Sequence, residues 1–186
     1  MIQSVAIIGA GISGLTAGCA LRKYGFKVDI FERSDSISEF GAGITLSRNA
    51  TSLLRKLDLY DDLEKNSYRP KSSFIRNYST GQDIARVDFT KDFIAADRRD
   101  VVKIFSERFV DMGGHLHLSQ EIKRADPETG EVFLSTGEGR SADLVLACDG
   151  IKSSIRENRF DKTEPRFTNC IAWRGVVDKS HFPQFS

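Results

Sequence analysis

The chain has 186 residues, 40% hydrophobic and 28% charged, with a net charge of +1. That is enough for one packed domain or a domain and a half. The balanced charge, with no basic tail or acidic block, argues against nucleic acid or an acidic macromolecule as a partner.

In chain order, Ser4 to Ile8 reads as a buried strand, and "GAGISG" (9–14) follows it. A helix is predicted from Ile12 to Tyr24, with Ile12, Leu15, Thr16 and Cys19 on one face and Gly25 as its stop. "KVDIFE" (27–32) is the second strand, so the first 32 residues form a βαβ unit with short connections. Residues 33–50 are polar and glycine-bearing, and 49–63 have the spacing of one helix through Leu53, Leu54 and Leu57. Residues 72–89 alternate around "STGQD" and read as a hairpin belonging to a different sheet.

The clearest helix is 97–114, capped by Asp97 with Asp100 three residues on, and carrying Val101, Phe105, Phe109 and Met112 on one face. A short strand (115–119), a hairpin (121–136), an apolar strand (142–150) ending in Asp-Gly and a further strand (169–179) complete the reading. No repeat or low-complexity segment is present. Cys19, Cys148 and Cys170 are spaced for neither a zinc site nor a disulfide framework, and read as reduced core residues of a cytoplasmic protein. His115, His117 and His181 have no metal-ligand spacing. The N-terminus has no signal-peptide pattern, and no run approaches the ~18 apolar residues of a membrane helix, which leaves only peripheral membrane contact open.

The glycine stretch carries the first chemistry. Gly9 permits the tight turn out of the strand, Gly11 lets backbone approach a pyrophosphate, and Gly14 lets the helix pack close to the strands. The N–H groups of Ile12 and Ser13 lie at the helix start, whose positive dipole end favours phosphate. Glu32 ends the second strand, where a carboxylate accepts both hydroxyls of an adenosine ribose and repels a 2′-phosphate, with Arg33 beside it. These features imply an adenine dinucleotide and leave FAD and NAD undistinguished.

Three later segments separate them. "GAGITLSRNATSLLRKLDL" (41–59), "DRRDVV" (97–102) and "DLVLACDGIKSSIR" (143–156) follow the glycine motif and its glutamate in order and at the right spacing. Over Val5 to about Val177 the chain resembles the group A, single-component FAD-dependent aromatic hydroxylases, in their salicylate-hydroxylase-like branch. The resemblance implies an α/β fold: a Rossmann-like, three-layer FAD-binding domain of the glutathione-reductase type, interleaved with part of a mixed or antiparallel substrate-domain sheet. The division it suggests is 1–70 with 97–160 for FAD, and 71–96 with 161–186 for the start of the substrate domain.

It also implies bound FAD, NADH or NADPH as co-substrate, and O₂ added to the reduced flavin to give a C4a-hydroperoxide that hydroxylates an aromatic or similar small molecule. Residue by residue, it places Arg98 at the ribityl–phosphate region and Asp149, with Gly150, Ser153 and Arg156, at the pyrophosphate. Gly41, Gly43 and Ile44 run past the flavin ring, the Ile122 backbone meets adenine, and Trp173 of "WRG" belongs to the substrate-domain sheet. Ala147 stands where relatives have glycine, and Arg48 where they commonly have proline. The family's second signature, a Gly-Asp dipeptide, is absent from these 186 residues. The expectation is therefore a piece of a larger architecture, with a non-catalytic nucleotide-binding chain or another FAD oxidoreductase as alternatives.

Overall fold

The computed structural model describes residues 1–37, 43–126, 128–160, 165–172 and 179–181. Its centre is a four-stranded parallel sheet in the order β12-β1-β2-β8, formed by β1 (Ser4–Ile8), β2 (Lys27–Phe31), β8 (His115–His117) and β12 (Leu144–Ala147). The register pairs Ile8 with Phe31 on one side and with Ala147 on the other, so the strands end together at one edge. Alternation along β1 divides the core. Val5 and Ile7 face helices α1 (Ile12–Lys23) and α4 (Arg98–Asp111). Ala6 and Ile8 face a second layer containing Ile122, Val132 and Leu134.

That second layer is an antiparallel meander of β9 (Ile122–Ala125), β10 (Glu131–Leu134) and β11 (Gly139–Ser141). The molecule is thus three layers of helix, parallel sheet and meander, the three-layer α/β arrangement that the resemblance implies. Gly18 lets α1 close on its neighbours: a Cβ there would stand 2.9 Å from both the Ile30 side chain and the Phe109 ring.

A second antiparallel sheet, β3-β7-β4, comes from β3 (Gly43–Leu46), β4 (Ser67–Tyr68) and β7 (Ile94–Asp97). Its Ile94 and Ala96 join the helical core. The hairpin expected at 72–89 forms as β5 (Ser72–Arg76) and β6 (Asp83–Asp88), a two-stranded sheet of its own.

Several expectations are corrected. The single helix over 49–63 is two, α2 (Arg48–Lys56) and α3 (Tyr60–Lys65), broken at Asp58 with φ 58°. The Leu59 N–H reaches the Leu54 carbonyl and the Asp58 N–H that of Arg55, a Schellman ending with aspartate in the left-handed position. The break has a packing cause: Leu57 and Leu59 are both buried, and two residues apart on one helix they would face opposite ways.

Asp97 caps α4 through the Arg99 N–H at 2.9 Å, but the side chain that returns to it is Arg99 and not Asp100. Cys170 is exposed and therefore not a core residue, whereas Cys19 is buried and Cys148 half-buried. Of the strand expected at 169–179, residues 169–172 form no strand, Lys179 opens a 3-10 helix (Lys179–His181), and 173–178, Trp173 among them, lie outside the described residues. The 142–150 strand is limited to Leu144–Ala147, and helix α5 (Ser154–Arg159) follows it. Among the described residues no helix is long and apolar enough to cross a membrane.

Candidate functional site

The carboxyl ends of β1, β2 and β12 open into a cavity of about 810 Å³. This is where ligands bind in open α/β sheets, at the point where connections leave in opposite directions. Its floor is the glycine turn from Gly9 to Ser13, one wall is Phe31 to Ser34, and another is Gln120 to Lys123. Arg98 and Val102 enter from the start of α4, and Cys148 to Gly150 with Lys152 and Ser154 from the loop after β12.

The turn is built by steric exclusion. Gly9 has φ +100°, and a Cβ on it would lie 2.6 Å from the Cys148 carbonyl oxygen. A Cβ on Gly14 would fall on the Gly9 carbonyl oxygen. Gly11 differs: a Cβ there would meet nothing within 4 Å, so its absence leaves room toward the cavity rather than relieving a protein contact. Gly11 is also the N-cap of α1, whose first turn holds no acidic residue to compete for an anion.

Glu32 lies just past β2. Its Oε2 accepts the Ala10 N–H at 2.8 Å and its Oε1 the Ser34 N–H at 3.0 Å. Burial works to raise its pKa, but these backbone donors, the Ser34 hydroxyl and neighbouring Arg33 outweigh it and hold the carboxyl below the usual glutamate range. Asp149 Oδ2 accepts the Ile155 N–H at 3.4 Å, and buried Ser153 caps α5 by accepting the Arg156 N–H at 3.0 Å. The Ser154 hydroxyl donates to the Ile122 carbonyl at 3.2 Å, which fixes the meander to this loop. Burial pushes the Cys148 thiol up, with the Asp149 charge adding to it.

The structure brings Gly9, Gly11, Ile12, Ser13, Glu32, Arg33, Arg98, Ile122 and Asp149 together around this one cavity. Gly14 stands beneath it as a packing residue. Gly43 lies outside the lining, paired with Asp97 at the edge of β3 next to Arg98. Gly41 lies outside the described residues. Ala147 pairs with Ile8 and is not part of the lining. Arg48 opens α2 at its first position, which is where proline is also favoured, so the exchange leaves the helix start intact.

Residues that sequence reasoning missed are Ala10, Ser34, Gln120, Lys123 and Lys152. Ala10 and Ser34 take part through backbone N–H groups, which no residue type advertises. Away from the cavity, His117 Nε2 lies 2.6 Å from Asp29 Oδ1, and the His117 ring stacks on Phe31.

A family model described as "FAD binding domain" matches residues 3–184. The 6-hydroxynicotinate 3-monooxygenase of Bordetella bronchiseptica is 25% identical over 182 residues, covering 92% of this chain and 47% of the relative. The 3-amino-4-hydroxybenzoate 2-monooxygenase of Streptomyces cremeus is 28% identical over 191 residues, covering 97% of this chain and 48% of the relative. Among solved structures, the tetrameric form of 2-methyl-3-hydroxypyridine-5-carboxylic acid oxygenase superposes with a TM-score of 0.78 at 29% identity, over 84% of this chain and 42% of that one. The chain spans about half the length of the curated relatives it matches.

Proposed function

The chain belongs to the FAD-binding domain family, and from that premise we propose that it supplies the nucleotide-binding part of an FAD-dependent monooxygenase acting with NADH or NADPH and O₂ on a small aromatic substrate. The observation that carries the reading is the single cavity at the carboxyl edge of the parallel sheet, walled by the glycine turn, Glu32, Arg98 and Asp149 together.

The residues fit the group. Space at Gly11 admits a pyrophosphate against backbone, and the N–H groups of Ile12 and Ser13 at the start of α1 face it. Glu32 retains acceptor capacity for ribose hydroxyls, with Arg33 beside it, and the backbone at Ile122 faces the adenine end. Arg98 stands at the ribityl–phosphate region, and Asp149 orients the loop that closes over the phosphates. Gly43, by this reading, runs beside the flavin ring. Residues 1–70 and 97–160 make up the FAD-binding domain and 71–96 and 161–186 the start of the substrate domain, with β7 joining the two because it pairs with β3 and β4. Bound flavin supplies the redox chemistry that activates O₂, and the protein binds, orients and excludes water.

The two named relatives act on rings bearing a hydroxyl group, which points to hydroxylated aromatic or heteroaromatic acids as the substrate class. We place the protein in the cytoplasm. The test is reconstitution with FAD, followed by NAD(P)H oxidation with such acids under ¹⁸O₂. Substrate-stimulated oxidation with label in the product is expected. Oxidation that leaves every product unlabelled removes the monooxygenase reading.

A further inference from the structure

We propose that Glu32 is a positioning residue for the glycine turn itself and holds it in its binding form before any nucleotide arrives. The proposal rests on the flavin-nucleotide reading only for what the turn is shaped to hold. Ala10 lies between Gly9 and Gly11 and is 4% exposed, so its N–H cannot be left to bulk water. That N–H is given to Glu32 Oε2 at 2.8 Å. The Gly9 N–H goes to the Phe31 carbonyl at 2.8 Å. The turn is therefore tied to the end of β2 twice in succession, once by backbone and once by a side chain. The other carboxylate oxygen takes the Ser34 N–H at 3.0 Å, which fixes the carboxylate plane between the two segments.

The two roles of Glu32 do not compete. An ionised carboxylate has about four lone-pair sites. Two are occupied here by the Ala10 and Ser34 N–H groups, a third by the Ser34 hydroxyl, and a ribose takes the fourth together with the third once that hydroxyl rotates away. The same group thus serves the empty and the loaded turn with both backbone N–H bonds kept. An amide cannot take its place, because it accepts on one oxygen only and its NH₂ would face a backbone N–H, donor against donor.

The test is amide hydrogen exchange on the nucleotide-free 186-residue chain, comparing wild type, Glu32→Ala and Asp143→Ala. Asp143 is the matched control: it accepts from the Gln3 and Ser4 N–H groups at the opposite end of β1. Glu32→Ala is expected to speed exchange at Ala10 and Ser34 at least tenfold and leave Val5 to Ile8 as in wild type. Asp143→Ala is expected to speed exchange at Ser4 and leave Ala10 unchanged. Unchanged exchange at Ala10 in Glu32→Ala, or a uniform rise along β1, overturns the proposal.

Should Glu32→Ala fail to fold, an acid titration of the wild-type chain decides. The Ala10 and Ser34 amide proton shifts are expected to follow the Glu32 carboxyl carbon with one midpoint. Glu121 and Asp149 of the same cavity are resolved by their own carboxyl signals. Amide shifts that do not follow Glu32 overturn the proposal. Failure of the cofactor reading would show separately, as absent FAD binding with this exchange pattern intact.

Discussion

At the scale of single residues, the three glycines of one motif make different demands. Gly9 and Gly14 are required by protein–protein contact, whereas Gly11 is required by the space it leaves. Gly14→Ala is therefore expected to destabilise the nucleotide-free chain by about 3 kcal/mol, because backbone and not a side-chain tip must move. Gly11→Ala should leave Tm within a degree or so of wild type and weaken FAD binding roughly tenfold, about 1.4 kcal/mol. Thermal melts and FAD titrations of the two variants separate these outcomes. A Gly11→Ala chain with unchanged FAD affinity would show that the pyrophosphate does not approach that turn.

Glu32 adds a pH dependence. Its folded-state pKa lies below the unfolded value, so its contribution to stability is complete above the ordinary glutamate pKa of about 4.3 and is lost as pH falls through the lower folded value. FAD affinity and stability from this group should hold constant from pH 8 to pH 5 and decline only in stronger acid. The cysteines differ by position. Burial raises Cys19 to about 11, so it stays a thiol at pH 8, and its sulfur is enclosed beneath α4. Alkylation at pH 8 should label exposed Cys170 first and Cys19 last, and FAD should slow labelling of Cys148, which lines the cavity.

At the scale of elements, α4 links the core to the site. Its Phe109 is fully buried and fills the space that Gly18 and Gly114 leave open, while its first residue, Arg98, lines the cavity. Phe109→Ala is expected to cost about 3–5 kcal/mol in denaturant unfolding. The β5–β6 hairpin is the opposite case. Phe74, Ile75, Ile84 and Val87 are all exposed, and a two-stranded hairpin is marginal without packing. Its amides should exchange fastest of any strand pair described here.

The elements that the sequence made legible are those with a strong pattern: the βαβ unit with its glycine turn, the amphipathic α4, and the two hairpins. The β3-β7-β4 sheet was not legible, because "GITL", "SY" and "IAAD" are too short to alternate and are recruited by tertiary pairing. The break at Asp58 was hidden because both halves have good helical spacing, and only the joint burial of Leu57 and Leu59 forces it. Helix α5 does have a signal, Ser153 as a cap two residues before buried Ile155, in the segment that follows Asp149-Gly150.

At the scale of the whole molecule, residues far apart in the sequence meet at one edge of one sheet. Gly9 rests against Cys148, and the Cys148 N–H donates to the Ile8 carbonyl at 2.8 Å. That convergence was legible in part, since Glu32, Arg98 and Asp149 carry side-chain chemistry that sequence can flag. The contributions of Ala10 and Ser34 were not, since they reside in backbone donors that only the turn geometry aims.

The central claim is that this edge holds the adenosine diphosphate half of FAD. Calorimetric titration of the 186-residue chain with FAD, ADP and FMN tests it most directly. The account predicts that FAD and ADP bind competitively, that Gly11→Ala weakens both, and that FMN, which lacks the adenosine half, binds far more weakly. FMN binding as tightly as FAD, with ADP failing to compete, would contradict it.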